Sequence, residues 1–263
     1  MNPTTFASSD IAVDHVIFNA GFAVDLLGEF FQALGFTLTP LGRHSTGSIN
    51  RLVILPGVYV ELIGFEVGTS SVSRPDLRRL PLGLTGIALR DKGNNSPTDS
   101  LRPGFNAPFE LKRPVELAGL QSEARFRITT LRETPVDFRV FMCRHYTPEL
   151  VWRAEWQWHP NRASGLRWVR VQSLQPKALH AALQTALAID GPAPVAQYRA
   201  GAMCIEMQTV GHRPALAFET DDLPGLAARL EANDLAHVIG ADGALTVPLP
   251  AEFDAELVFV GAR

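Results

Sequence analysis

The chain has 263 residues, 46% hydrophobic and 19% charged, with a formal net charge of −3. That is too apolar and too weakly charged for a disordered chain, and no apolar run approaches the ~20 residues needed to cross a bilayer. The charge balance offers no basic stripe for a phosphate backbone, so neither nucleic acid nor membrane is an expected partner.

The first residues, MNPTTFASSD, have neither the basic flank nor the apolar stretch of a leader, so the cytoplasm is the expected compartment. DHVIFNAG (14–21) is rich in β-branched and aromatic residues and reads as a strand. In VDLLGEFFQALGF the residues Leu26, Leu27, Phe30, Phe31 and Leu34 have the three-and-four spacing of an amphipathic helix, which Gly35 stops. TLTPLGRHS, INRLVILP and VYVELIGFE follow as extended segments, the last two separated by a Pro-Gly turn. The order to residue 66 is βαβββ. RPDLRR (74–79) reads as a solvated loop or edge.

The same order recurs more faintly. GLTGIALR (83–90) opens a second unit, SPTDSLRPGF makes a poor helix, and FRITTL and FRVFMCRH supply its later strands. A third unit starts at GLRWVRVQ (165–172) and continues in the helix PKALHAALQTALAI, whose Pro176 suits a first turn, closing with AMCIEMQTV. A fourth runs from PALAFETDD through the helix LPGLAARLEAND to AHVIG, ALTVPL and AELVFVG. Four units make two pairs. Between the pairs, residues 147–164 carry Trp152, Trp156 and Trp158, which suits either a packed plug between the halves or the wall of a pocket. Cys143 and Cys204 belong to no CxxC pair and read as reduced thiols.

Three marks in the first half carry a resemblance: Asp14-His15 opening the first strand, GRHSTGSINR from Gly42 to Arg51, and Glu61 in the last strand, joined further on by RHYTPELVW and HPN. Together they resemble the glyoxalase-like branch of the vicinal oxygen chelate superfamily. The resemblance implies an α+β fold of paired βαβββ modules forming two half-barrel domains. It divides the chain into a glyoxalase-like domain at 10–146, the Trp-rich connection at 147–164, and a degenerate glyoxalase-like domain at 165–263. It also implies a cupped pocket in the first half that holds a small oxygenated metabolite. Metal enzymes of the superfamily take ligands from the first and last strands of both modules, which implies His15 and Glu61 as ligands, with His145 a third if a bulge turns it inward. A divalent ion (Zn, Ni, Fe or Mn) suits that mixed N/O set. Against this, Gly86 falls where the second module owes a ligand, with Met142 or Cys143 opposite Glu61. Trp168 and Ala215 leave Glu206 and Glu256 without imidazole partners, so the second pair reads as metal-free scaffold. His180, His212 and His237 in that half read as surface or core residues.

Taken by themselves, His15 suits a half-buried hydrogen-bonded strand residue as well as a ligand, and Glu61 on an apolar strand needs a metal, a cation or a proton. Without a metal, desolvation should raise the pKa of Glu61 and fit it for acid–base work. His44, Asn50 and Arg51 cluster within eight residues, and Arg51 or His44 would orient an anionic group; alternatively Asn50 and Arg51 tie the hairpin to Glu149 or Glu155. His145, Glu149, Trp152 and His159 would complete the substrate pocket, although His159 before Pro160 also suits a turn. Nucleophile elbows and nucleotide loops are missing from the sequence. Two functions follow: a lyase, isomerase or oxygenase centred on His15 and Glu61, or a non-catalytic protein that sequesters a small molecule, with a homodimer compatible with either.

Overall fold

The structure is a computed structural model that describes residues 10–69, 74–91, 103–117, 119–189, 197–207 and 212–262. The first unit comprises β1 (Ile11–Gly21), α1 (Val24–Ala33), β2 (Gly42–Arg43), β3 (Ile49–Leu55) and β4 (Val58–Gly64). A helical turn, α2 (Pro75–Arg78), leads to β5 (Gly83–Asp91), β6 (Phe109–Leu117), β7 (Leu120–Thr130) and β8 (Arg139–His145). These eight strands form one sheet in the order β2-β3-β4-β1-β5-β8-β7-β6. In each unit the first strand lies parallel to the last, β1 on β4 and β5 on β8, and the units meet through the antiparallel pair β1–β5.

The second sheet has the order β10-β11-β9-β12-β15-β14-β13. It is built from β9 (Ala163–Val171), α3 (Pro176–Leu187), β10 (Gln197–Ala200), β11 (Met203–Met207), β12 (Ala215–Thr220), α4 (Leu223–Ala232), β13 (Val238–Ile239), β14 (Leu245–Pro248) and β15 (Glu256–Gly261). The rule repeats: β9 runs parallel to β11, β12 parallel to β15, and β9 antiparallel to β12. This is an α+β fold of two barrel-like halves, as the resemblance implies. Among the described residues, no helix is long and apolar enough to cross a membrane.

One face of each sheet and the helices α1, α3 and α4 share a single apolar core that crosses the boundary between halves. Phe36, just after α1, packs 4.7 Å from Phe218 and 6.0 Å from Phe259, ring centre to ring centre. The α1 face differs from the expected stripe in one residue: Leu27 and Phe31 are buried, whereas Leu26 is 50% exposed. Gly35 ends the turn at φ +88°, a conformation that costs glycine little.

Two strands depart from the sequence expectation. TLTPLGRHS contributes only Gly42–Arg43 to the ladder, because Pro40 offers no N–H; Thr39 is instead tied to Leu52 by two hydrogen bonds of 3.0 Å. FELKRPVEL, not anticipated as a strand, is β6. Pro114 argues against a central strand, but β6 is the sheet's edge, where a missing N–H is harmless. The segment SPTDSLRPGF lies mostly outside the described residues.

Candidate functional site

The other face of the first sheet curves around a cavity of about 320 Å3. A bulge in β1 determines what it presents. Ile11 and Val13 point into the core, as do Val16, Phe18 and Ala20, so the alternation slips between them, where the β1–β5 register shifts between Val13 and His15. The slip turns the consecutive residues Asp14 and His15 to the same side. His15, Ile17, Tyr59, Glu61 and Ile63 line the cavity from β1 and β4, and Phe109, Leu111 and Arg113 close it from β6.

Asp14 is fully buried, and its Oδ1 accepts from His15 Nδ1 at 2.7 Å and from His145 Nε2 at 3.0 Å, while Arg90 Nη1 lies 3.7 Å from Oδ2. Burial alone would raise its pKa, but the charges and hydrogen bonds of His145 and His15 outweigh this and hold the carboxyl well below the usual carboxylate range. An ionised carboxylate only accepts, so His15 carries its proton on Nδ1. Nε2 is left facing Glu61 Oε2 at 3.8 Å. Tyr59 stacks on the His15 ring at 4.5 Å.

Asn50 is the hub of a second network. Its Nδ2 donates to Glu61 Oε1 at 2.6 Å and lies 3.3 Å from His44 Nε2, and its Oδ1 accepts from Arg113 Nη1 at 3.1 Å. His44 Nδ1 meets Ser48 Oγ at 2.9 Å, and Arg74 donates to the same oxygen at 3.0 Å. Burial depresses His44 to a pKa of about 4, against the opposing pull of Glu61. It is therefore neutral at pH 7, its proton on Nδ1. For Glu61 the expected upward shift is corrected: burial pushes up, but His15, His44, the Asn50 hydrogen bond and Arg113 together pull further down, so it stays ionised.

Gly42 makes the Asn50–Arg113 contact possible. A Cβ there would lie 2.3 Å from Asn50 Oδ1 and 2.8 Å from Arg113 Nη1. Gly42→Ala is expected to break this buried hydrogen bond and cost about 1–3 kcal/mol in urea unfolding. A loss under ~0.5 kcal/mol would show that the site relaxes around the methyl.

The remaining residues singled out from sequence divide clearly. Arg51 lies on the opposite face of β3, bound to Asp25 of α1 at 3.0 Å, and neither it nor Asn50 reaches Glu149 or Glu155. His159 lines the seam between halves: its Nδ1 accepts from Thr37 N and its Nε2 donates to Ile54 O, both at 3.0 Å, so it too is neutral, with burial lowering its pKa. His145 is engaged by Asp14, and its Nδ1 is buried without a hydrogen-bond partner among the described residues. Trp152 packs behind the cavity wall, 4.6 Å from His145 and 5.7 Å from Tyr59, Val151 reaches the cavity itself, and Glu149 is exposed. In the second half His180 bonds Tyr198 at 2.7 Å, His237 meets Leu235 O, and His212 is exposed.

Sequence reasoning missed Arg113, Arg139 and the Arg74–Asp76 pair, all of which line the cavity. The period-two run Phe109, Leu111, Arg113 was the available signal for the first. RPDLRR is in part a cavity wall, with Arg74, Asp76 and Leu77 lining it while Pro75 and Arg79 stay exposed; Asp76 binds Arg74 at 3.0 Å and Arg139 at 3.1 Å.

The strand register tests the implied metal. His15 pairs with Ala88 and Ile17 with Gly86, so a local two-fold axis equates His15 with Gly86. Ile17 faces Glu61 and Ala88 faces Phe141, which equates Glu61 with Phe141 rather than Met142 or Cys143. The four corresponding positions are thus His15, Glu61, Gly86 and Phe141, and two of them have no ligand atom. Asp14, His15 and Cys143 offer a possible metal site, their ligand atoms lying within 4.8 Å of one another. Within that set Asp14 Oδ1 also accepts from His15 Nδ1 and His145 Nε2, so an ion there would compete with two imidazoles for this carboxylate. The four corresponding positions alone therefore do not supply the full ligand set that the resemblance implies. In the second half Arg170 lies between Glu206 and Glu256, 3.4 Å and 3.6 Å away, filling with a guanidinium the place between these carboxylates.

A family model described as "Glyoxalase-like domain" matches residues 13–187, more than half of the chain. A search of curated proteins finds no match. Among solved structures, a hypothetical protein from Staphylococcus aureus is similar over 96% of this chain and 100% of its own, with TM-score 0.61 and 11% identity. A mutant of 4-hydroxymandelate synthase from Streptomyces coelicolor is similar over 97% of this chain and 94% of its own, with TM-score 0.52 and 12% identity. A xylose isomerase-like TIM barrel/4-hydroxyphenylpyruvate dioxygenase fusion protein is similar over 99% of this chain but 50% of its own, with TM-score 0.53 and 13% identity. The chain belongs to the glyoxalase-like domain family and has the vicinal oxygen chelate fold.

Proposed function

We propose that the chain is an acid–base enzyme of the isomerase or lyase type, acting on a small oxygenated metabolite in the cavity of the first half. The observation that carries this reading is the His15 imidazole, held at Nδ1 by Asp14 with its Nε2 turned toward Glu61. A base oriented by a buried carboxylate takes a proton in a fixed geometry, and the two flanking carboxylates stabilise the imidazolium that forms. A C–H bond beside a carbonyl breaks, its proton moves to His15 Nε2, and the electron pair moves to the carbonyl oxygen. In an isomerisation the same nitrogen returns the proton to the former carbonyl carbon while an α-hydroxyl passes its own proton to the enolate oxygen and becomes the new carbonyl; in an elimination the enolate pair returns to expel a leaving group from the next carbon, and that group takes the proton.

The test is hydrogen–deuterium exchange in D2O, followed by NMR, with phenylacetone and phenylpyruvate as probes. The protein is expected to speed exchange beside the carbonyl of at least one of them over buffer, and His15→Gln to remove about 10²–10⁴-fold of that rate. Exchange at the buffer rate, or undiminished exchange in His15→Gln, would defeat the reading. A second reading, binding without turnover, is favoured by Gly86 and Phe141, which leave the second module without a reactive group; binding of a probe with no exchange supports it.

A further inference from the structure

The cavity's charges do not cancel. Among the described residues, three arginines line it, Arg74, Arg113 and Arg139, against two carboxylates, Glu61 and Asp76. Arg74 and Arg139 converge on Asp76, and Arg139 also lies over the Phe141 ring at 5.3 Å. Among the described residues, Arg113 has no such carboxylate in contact. It is 4% exposed, Nη1 donates to Asn50, and Nε is buried with no hydrogen-bond partner among the described residues. Leaving a buried donor unpaired is unfavourable, and leaving a guanidinium without a matching anion is more so. The lining around it is apolar and aromatic, with Leu111, Phe126, Ile128 and Phe141.

Resting on the cavity being the ligand site proposed above, we propose that it takes a monocarboxylate with an apolar, ring-sized body, whose carboxylate meets Arg113. The planar guanidinium edge matches a carboxylate with two parallel hydrogen bonds. One negative charge balances the excess cation; a dianion such as a phosphate monoester would leave an uncompensated charge beside Glu61.

Calorimetric titration of the full chain with phenylacetate, phenylacetamide and phenyl phosphate tests this. Phenylacetate is expected to bind at least about tenfold tighter than the other two, a difference of roughly 1.4 kcal/mol. Arg113→Gln should erase its preference over the amide, while Arg51→Gln, on the opposite face of β3, keeps it. Should Arg113→Gln fail to fold, Arg113→Lys keeps the charge without the fork and should retain only part of the preference. Equal binding of the amide, tighter binding of phenyl phosphate, an undiminished preference in both Arg113 variants, or no binding of phenylacetate overturns the proposal. Proton exchange with no carboxylate preference would sink this inference alone, whereas carboxylate preference with no exchange would sink the proton-transfer reading alone.

Discussion

Asp14→Ala is expected to destabilise the protein by about 3–5 kcal/mol, the largest loss for any single residue of the site. The carboxylate is fully buried and is the common acceptor for His15 Nδ1 and His145 Nε2, with the Arg90 guanidinium beside it. Truncation leaves two buried ring N–H groups without an acceptor and a cation without its counter-charge. Those penalties add to a small cavity. Asp14→Asn is a sharper probe because it keeps the shape and one acceptor oxygen while losing the charge; an intermediate loss of about 2–3 kcal/mol is expected. Urea unfolding of both variants at pH 7 measures the difference. A loss below ~1 kcal/mol for Asp14→Ala would show that water or Arg90 can take over, and the oriented-base reading of His15 would then lose its support.

This cluster also shows how far the sequence could be read. The order of strands in the first unit, the stop at Gly35, and the placement of His15 and Glu61 on neighbouring strands follow from periodicity, turn residues and the family marks. The bulge that turns Asp14 to the same side as His15 was not legible, because strict alternation puts consecutive residues on opposite faces. His145 and Asp14 are 131 residues apart, and nothing local relates them. Arg113 was hidden by Pro114, whose meaning depends on whether its strand is central or at an edge, a property of the whole sheet. Arg51 stands beside Asn50 in sequence and for that reason faces the other way. The sign of the Glu61 shift was misjudged because desolvation can be read from an apolar strand, whereas the opposing imidazoles, amide and guanidinium come from elsewhere in the fold.

Stability is expected to fall as pH drops from about 6.5 to about 4, with His44 a principal cause. Unfolded, its imidazole takes a proton near the ordinary value of 6.5; folded, burial delays this to about 4. Above pH 6.5 both states are neutral and the fold keeps its full stability. Between the two values only the unfolded chain gains the proton, so stability declines with falling pH, by up to about 3 kcal/mol at roughly 1.36 kcal/mol per pKa unit. Below pH 4 both states are protonated and this loss levels off. His159 and His180, also lowered by burial, act with the same sign in this range, so the contribution of His44 is read from a difference. Asp14 and Glu61, both depressed, contribute stability above the ordinary carboxylate range near pH 4 that is lost below it, outside the His44 window. His44→Gln retains an acceptor for Asn50 and a donor for Ser48 but does not titrate. Urea unfolding from pH 7.5 to 4 should therefore give a curve for the variant flatter by up to about 3 kcal/mol across the window. Parallel curves would mean that His44 already reaches solvent when protonated. In that case it would add a second positive charge to the cavity in mild acid, and carboxylate affinity would rise below pH 6.5; a neutral His44 predicts affinity independent of pH from 7.5 down to about 5 as far as this residue is concerned.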